Sequence, residues 1–153
     1  MMLLLAFAIG VIAGLRSMTA PAVMAWGAHA GRLALCGTPL ALLSSAAARY
    51  SLTGFAIAEL VMDKLPTTPS RTRPGPFVWR LLTGALSGAA ITSGAGDGLG
   101  AGAVAGALGA LLGALGGNKA RTGLVRALKV PDYVVAVAED VVAVGGACLI
   151  VSA

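Results

Sequence analysis

Charged residues are scarce in this chain of 153 residues: only 11% are charged, whereas 58% are hydrophobic. The mean hydropathy is +0.89. A water-soluble helical protein of this length needs far more charge to cover its surface, so that class is disfavoured. The composition is instead typical of a membrane protein with a single domain. Apolar and polar residues do not alternate, which disfavours transmembrane strands and predicts an all-α fold.

Histidine and cysteine are almost absent, since His29, Cys36 and Cys148 are the whole set. Two cysteines do not make a disulfide framework, and nothing near them has metal-ligand spacing. With one imidazole, no set of nucleophile, base and orienting residue is visible. We therefore expect no enzyme, no metal site and no cofactor.

Acidic residues are also few, which leaves a formal net charge of +5. The basic residues lie mostly in short connections between apolar runs, where positive charge sets membrane topology and contacts lipid headgroups. A nucleic-acid partner is therefore disfavoured, and membrane lipids are the expected surroundings. The apolar N-terminus lacks the basic segment of a signal peptide, because its first charge is Arg16, and it is predicted to stay as a membrane helix.

Apolar runs predict a polytopic helical membrane protein with about five membrane segments in a single domain, 1–153. Four of these segments are continuous spans: residues 46–63, 77–95, 98–117 and 132–151. The connection around Asp97 is short and rich in glycine, so the two central spans form an antiparallel hairpin.

The N-terminal part is less regular. A helix over the first 30 residues is predicted to break at 16–21, where Pro21 removes a backbone donor. Residues 33–48 contain Gly37 and Pro39 and predict a short helix or a re-entrant piece. By the positive-inside rule, the basic connections 64–80 and 118–131 both lie in the cytoplasm. The hairpin between them returns the chain to that side, and the C-terminus lies outside.

Two stretches of the chain resemble each other: AELV at 58–61 and AEDV at 138–141. Upstream, GLRSMTA at 14–20 aligns with GNKARTG at 117–123, which pairs Arg16 with Lys119 and Thr19 with Thr122. The pattern predicts two inverted repeats with broken or re-entrant helices, 1–66 and 77–153, linked by the Pro-rich loop 67–76. Small-solute transporters recurrently use this plan. The alternative is chance, which readily supplies a four-position match in Ala- and Val-rich sequence.

Acidic residues inside predicted spans need partners, because a charge at the centre of a membrane helix costs about 2.5–3.5 kcal/mol. We expect them to meet the nearby cations in one polar centre. Its predicted members are Arg16, Thr19, Glu59, Asp63, Lys119, Arg121, Thr122, Glu139 and Asp140. One interpretation is a transporter or channel for a small ion or anionic solute. The alternative is a structural or assembly protein in which the charges only lock helices together.

Two further patterns indicate contacts. Glycines repeat at four-residue spacing in both central spans, at 84 and 88, at 98, 102 and 106, and at 109, 113 and 117. This spacing allows close approach of membrane helices, within the chain or in a homo-oligomer, most simply a two-fold dimer. In the Pro-rich loop, Ser70, Arg71 and Arg73 are candidates for binding an anion or contacting lipid headgroups.

Three motifs of the chain, GLRSMTAPAVMAW, AELVMDKLPTTPSRT and PDYVVAVAEDVVAVG, resemble the family of small bacterial integral membrane proteins called domain of unknown function 4126. The resemblance covers nearly the whole chain. It implies a multi-pass protein of the bacterial inner membrane. It supplies no established activity and no catalytic residue.

Overall fold

The computed structural model describes residues 1–63 and 74–153, and the all-α prediction is confirmed in these two ranges. They contain no strand. The six α-helices are α1 (Met2–Leu15), α2 (Thr19–His29), α3 (Ala46–Met62), α4 (Pro74–Gly94), α5 (Leu99–Leu128) and α6 (Asp132–Ser152). In the predicted piece 33–48, a short 3-10 helix, Ala41–Ser44, precedes α3, and residues 46–48 already belong to α3.

Two of the described helices are long and apolar enough to cross a membrane, judged by length and composition alone: α5 with 30 residues and α6 with 21. α1 is apolar but shorter, with 14 residues. The prediction of about five membrane segments goes beyond these two helices and stays a prediction.

The N-terminal helix is broken as predicted, but the break is shorter than the predicted range 16–21. α1 ends at Leu15 and α2 begins at Thr19, and Arg16 between them has an extended backbone with φ −137° and ψ 106°. Pro21 lies in the first turn of α2 and is not part of the break. A proline is tolerated there because the first N–H groups of a helix have no partner within the helix.

The second half contains no matching break among the described residues. α5 continues to Leu128, past the predicted end at 117, so that the stretch 117–123 is helical. Its Ala, Leu, Arg and Lys residues favour helix, and no proline stops it before Pro131. The helix ends at Lys129, which adopts a left-handed conformation with φ 53°. The predicted connection 118–131 is therefore mostly wrong, and the inverted repeat stays a prediction.

Three helices pack closely through glycine, and α5 is the central one. Gly84 and Gly88 of α4 face Gly102 and Gly106 of α5 so closely that a Cβ on any of them would meet backbone atoms. On its other side, α5 contacts α1, where Gly10 faces Gly106.

Gly109 and Gly113 face the backbone of α1 at Phe7 and Val11, whereas a Cβ on Gly98 would meet open space. The contact with α1 was not predicted. Gly109 and Gly113 are therefore used within the chain, and the homo-oligomer, the alternative use of the glycine spacing, stays a prediction.

A charged centre at the broken helix

The break between α1 and α2 places Arg16 in the interior, with 0% of its surface exposed. Its Nη1 pairs with Asp63, at the end of α3, and its Nη2 pairs with Asp140 of α6. A guanidinium this deeply buried is costly unless acidic groups lie against it. Arg16 therefore ties the break to α3 and α6.

Glu59 of α3 accepts hydrogen bonds from backbone N–H groups at the start of α2. Its carboxylate accepts hydrogen bonds from the backbone N–H of Ser17 at 2.9 Å and of Met18 at 2.8 Å, and from the Ser17 hydroxyl at 2.8 Å. The beginning of a helix carries unpaired N–H groups and a partial positive charge, which favour a carboxylate. Glu59 thus acts as an N-terminal cap supplied by another helix.

Arg80 of α4 donates hydrogen bonds to backbone carbonyls on the other side of the break, at the end of α1. Its Nη1 donates to the carbonyl oxygens of Gly14 at 2.9 Å and of Leu15 at 2.7 Å, and its Nη2 lies 3.5 Å from Glu59 Oε1. These carbonyls end α1, where a cation is favoured. The sequence analysis placed Arg80 at the end of the basic connection 64–80, which is wrong for this residue, because it lies within α4 and is only 5% exposed. α4 begins at Pro74 and not at 77, so Arg80 lies nearly two turns inside it.

Arg121 of α5 joins a second group of acids. Its Nε donates to Asp132 Oδ1 at 2.9 Å, and its Nη1 lies 3.2 Å from Asp63 Oδ2 and 3.9 Å from Glu139 Oε2. Asp132 was predicted only as the start of α6, where it also suits the positive end of the helix. Arg121 therefore links α5 to α3 and α6.

The centre contains five of the six acidic residues of the chain, together with three arginines. From the predicted set it brings together Arg16, Glu59, Asp63, Arg121, Glu139 and Asp140. The sequence analysis missed Arg80 and Asp132. The centre is thus built where α3, α4, α5 and α6 meet the break.

Three predicted members are placed differently. Lys119 and Thr122 are exposed, and the Thr122 hydroxyl donates to the carbonyls of Asn118 and Lys119 in its own helix. On a continuous helix they point about 160° and 100° away from Arg121, so they do not join the centre. Thr19 is buried beside the break, and its Oγ1 has no hydrogen-bond partner in the described part of the chain. Ser70, Arg71 and Arg73 lie outside the described residues.

Two cavities border the centre. The larger, of about 440 Å³, is lined by Glu59, Asp63 and Arg80 and by apolar side chains of α3 and α4. The other, of about 250 Å³, lies between α5 and α6 and is lined by Arg121 and Glu139. Because Asp63 borders the first cavity and Arg121 the second, their ion pair joins the linings of the two cavities.

Within residues 1–63 and 74–153, no three His, Cys, Asp or Glu side chains are grouped as a metal site would require. No family model, curated protein or solved structure matches the chain. The resemblance to domain of unknown function 4126 therefore stays an expectation, and function is argued from the charged centre itself.

Proposed function

We propose that the chain is a multi-pass protein of the bacterial inner membrane. The distribution of side chains supports this, because three arginines, Arg16, Arg49 and Arg80, are buried while many large apolar side chains face outward. Arg16 is 0% exposed, whereas Leu4 is 74%, Val141 68% and Leu149 73% exposed. An apolar outer surface suits lipid, and charges in such a protein face the bundle interior.

We further propose that the charged centre lets a small ion or anionic solute pass. The observation that carries this proposal is the pair of cavities that reach the same ion-pair network, through Glu59, Asp63 and Arg80 on one side and Arg121 and Glu139 on the other. A set of charges that served only to hold helices together has no need of space beside it. Intramembrane ionisable residues next to a cavity typically mark ion or solute pathways.

The ion pair between Asp63 and Arg121 is the barrier in this proposal. A proton or cation that neutralises Asp63 weakens its attraction to both Arg16 and Arg121. An anion that binds Arg121 competes with the same carboxylate. Either event loosens the wall between the cavities and lets them join, which is the step that passage requires.

A second candidate is a structural or assembly protein, and the capping of the break favours it. Glu59 and Arg80 satisfy the backbone groups on both sides of the break with the protein's own charges. In transporters with discontinuous helices, solutes and coupling ions commonly occupy such helix ends. Here those positions are filled, so the break is stable without a ligand.

Flux through purified protein in lipid vesicles separates the two candidates. We compare the wild type with Glu139→Gln and with Asp97→Asn, using a trapped pH dye for protons and entrapped small ions for the others. Glu139 borders the cavity between α5 and α6 and forms an ion pair with Arg121 at 3.9 Å. Asp97 is exposed in the turn between α4 and α5 and is the matched control outside the centre.

The transport proposal predicts flux above empty vesicles for the wild type and for Asp97→Asn, and loss of that flux for a folded Glu139→Gln protein. Wild-type vesicles that pass no tested proton, cation or small anion would refute transport and leave the structural candidate. Equal flux for Glu139→Gln and Asp97→Asn would show that the charged centre is not the pathway.

A further inference from the structure

A second region of interest lies at the other end of α3, ten residues and about 15 Å before Glu59. Arg49, in the first turn of α3, is only 8% exposed. Its Nε and Nη1 atoms are buried and have no hydrogen-bond partner among the described residues. Buried N–H groups of a cation carry a large cost when nothing accepts from them.

Aromatic rings surround this guanidinium but do not replace an anion. Arg49 Cζ lies 4.9 Å from the ring centroid of Trp26 and 4.9 Å from that of Tyr50. Cation–π contacts stabilise the charge, yet a ring face gives the in-plane N–H groups no lone pair. Trp26 is held in place by its Nε1, which donates to Thr53 Oγ1 at 3.0 Å. The cation is thus oriented by its neighbours.

Arg49 forms no ion pair with an acidic side chain among the described residues. Residues 1–58 contain no Asp or Glu, and Asp97, in the turn that follows α4, is exposed. The nearest acid along the chain is Glu59, about 15 Å away along α3, and it belongs to the charged centre. On the N-terminal side of Arg49 the nearest charged residue is Arg32, and the His29 ring lies 6.4 Å from that of Trp26. The beginning of α3 adds the partial positive charge of a helix start. The helix start and the guanidinium of Arg49 together favour an external anion.

We propose that Arg49 binds a phosphate group at this end of the bundle. A guanidinium presents two parallel N–H groups that match two phosphate oxygens, and helix starts bind phosphate readily. Trp26 is 44% and Tyr50 63% exposed, and exposed aromatic rings of this kind lie at the headgroup level of membranes. The phosphate is therefore supplied by the headgroup of an anionic lipid or by free phosphate. This inference is independent of transport through the charged centre.

Trp26 provides the measurement, because the chain has two tryptophans and Trp79→Phe leaves Trp26 alone. This variant, in a maltoside detergent that contains no phosphate, is titrated with short-chain phosphatidylglycerol, with the matching diacylglycerol, and with inorganic phosphate. Arg49→Gln removes the guanidinium. Arg32→Gln is the matched control, since Arg32 is exposed and near the same end.

A saturable change of Trp26 fluorescence with phosphatidylglycerol, and none with diacylglycerol, is expected. Arg49→Gln should weaken binding by about tenfold or more, and Arg32→Gln by less than about threefold. The same response to inorganic phosphate also supports the site and identifies free phosphate as a source.

The proposal is overturned if neither phosphate compound gives a saturable change, or if Arg49→Gln and Arg32→Gln bind equally well. Should Arg49→Gln fail to fold, Arg49→Lys decides, because an ammonium keeps the charge but cannot form the paired contact. A loss of affinity in Arg49→Lys supports the site, and unchanged affinity refutes the role of the guanidinium.

Discussion

Gly106 lies where three helices meet, and adding one methyl group there tests how the bundle is held together. A Cβ at this position would lie closer than 3.0 Å to the backbone of Gly84 in α4, whereas ordinary contacts begin at 3.4 Å. The neighbouring atoms are backbone, so no side chain can rotate away. α4 and α5 must move apart.

The expected change in the free energy of unfolding follows from overpacking. Forcing an extra methyl group into a packed interior costs about 1–3 kcal/mol. Gly106→Ala should therefore lower the free energy of unfolding, although alanine is the better helix former. Gly116→Ala is the control in the same helix, because a Cβ there meets nothing within 4 Å. It should raise the free energy of unfolding by about 0.5–1 kcal/mol through helix propensity alone.

The two variants are compared by unfolding in mixed micelles with increasing dodecyl sulfate, followed by circular dichroism. The gain in helix propensity is common to both variants, so the expected difference between them is the overpacking cost of about 1–3 kcal/mol. If Gly106→Ala is as stable as Gly116→Ala, the close approach of α4 and α5 is wrong, and with it the register that places Arg80 at the end of α1.

Two further predictions concern the charged centre and the topology. Arg80→Gln should lower the free energy of unfolding by about 3–5 kcal/mol, because Glu59 and two carbonyls lose their cation. The control Arg126→Gln, at an exposed position of α5, should change the free energy of unfolding by less than about 0.5 kcal/mol. Similar losses in the two variants would contradict the capping role of Arg80. When Thr122 is replaced by cysteine and Cys36 and Cys148 by serine, the lone cysteine at 122 should resist a membrane-impermeant maleimide in intact cells. In the control, Cys36 is kept as the lone cysteine and should react. Ready labelling at position 122 would reverse the predicted orientation.

Much of the helical framework could be predicted from apolar runs and breakers. α3 and α6 match the predicted spans within one residue, 46–63 and 132–151, because Ser45 and Pro131 mark their starts. The break after Leu15 was visible as Arg16 inside an apolar run. Hydropathy therefore identified where helices exist.

The same reasoning failed where a polar stretch stays helical. Residues 118–128 are polar enough to suggest a connection, yet their helix propensity continues α5. Helix phase then decides which side chains point inward, so Arg121 joins the centre and Lys119 and Thr122 do not. Arg80 was misplaced for a related reason, since the start of α4 lies three residues before the predicted one. Tertiary contacts of single charges depend on such boundaries, which hydropathy does not determine.

Among the acids of the charged centre, Glu59 has a role that is set by the backbone of the break. Glu59 accepts three hydrogen bonds from Ser17 and Met18, all between 2.8 and 2.9 Å, and these fix the start of α2. Glu139 forms an ion pair with Arg121 at 3.9 Å and borders the cavity between α5 and α6. Under the transport proposal, a group that moves during passage must exchange partners at low cost, which the capping role denies to Glu59. The broken helix is therefore expected to be a rigid support, and rearrangement is expected beside the cavity between α5 and α6.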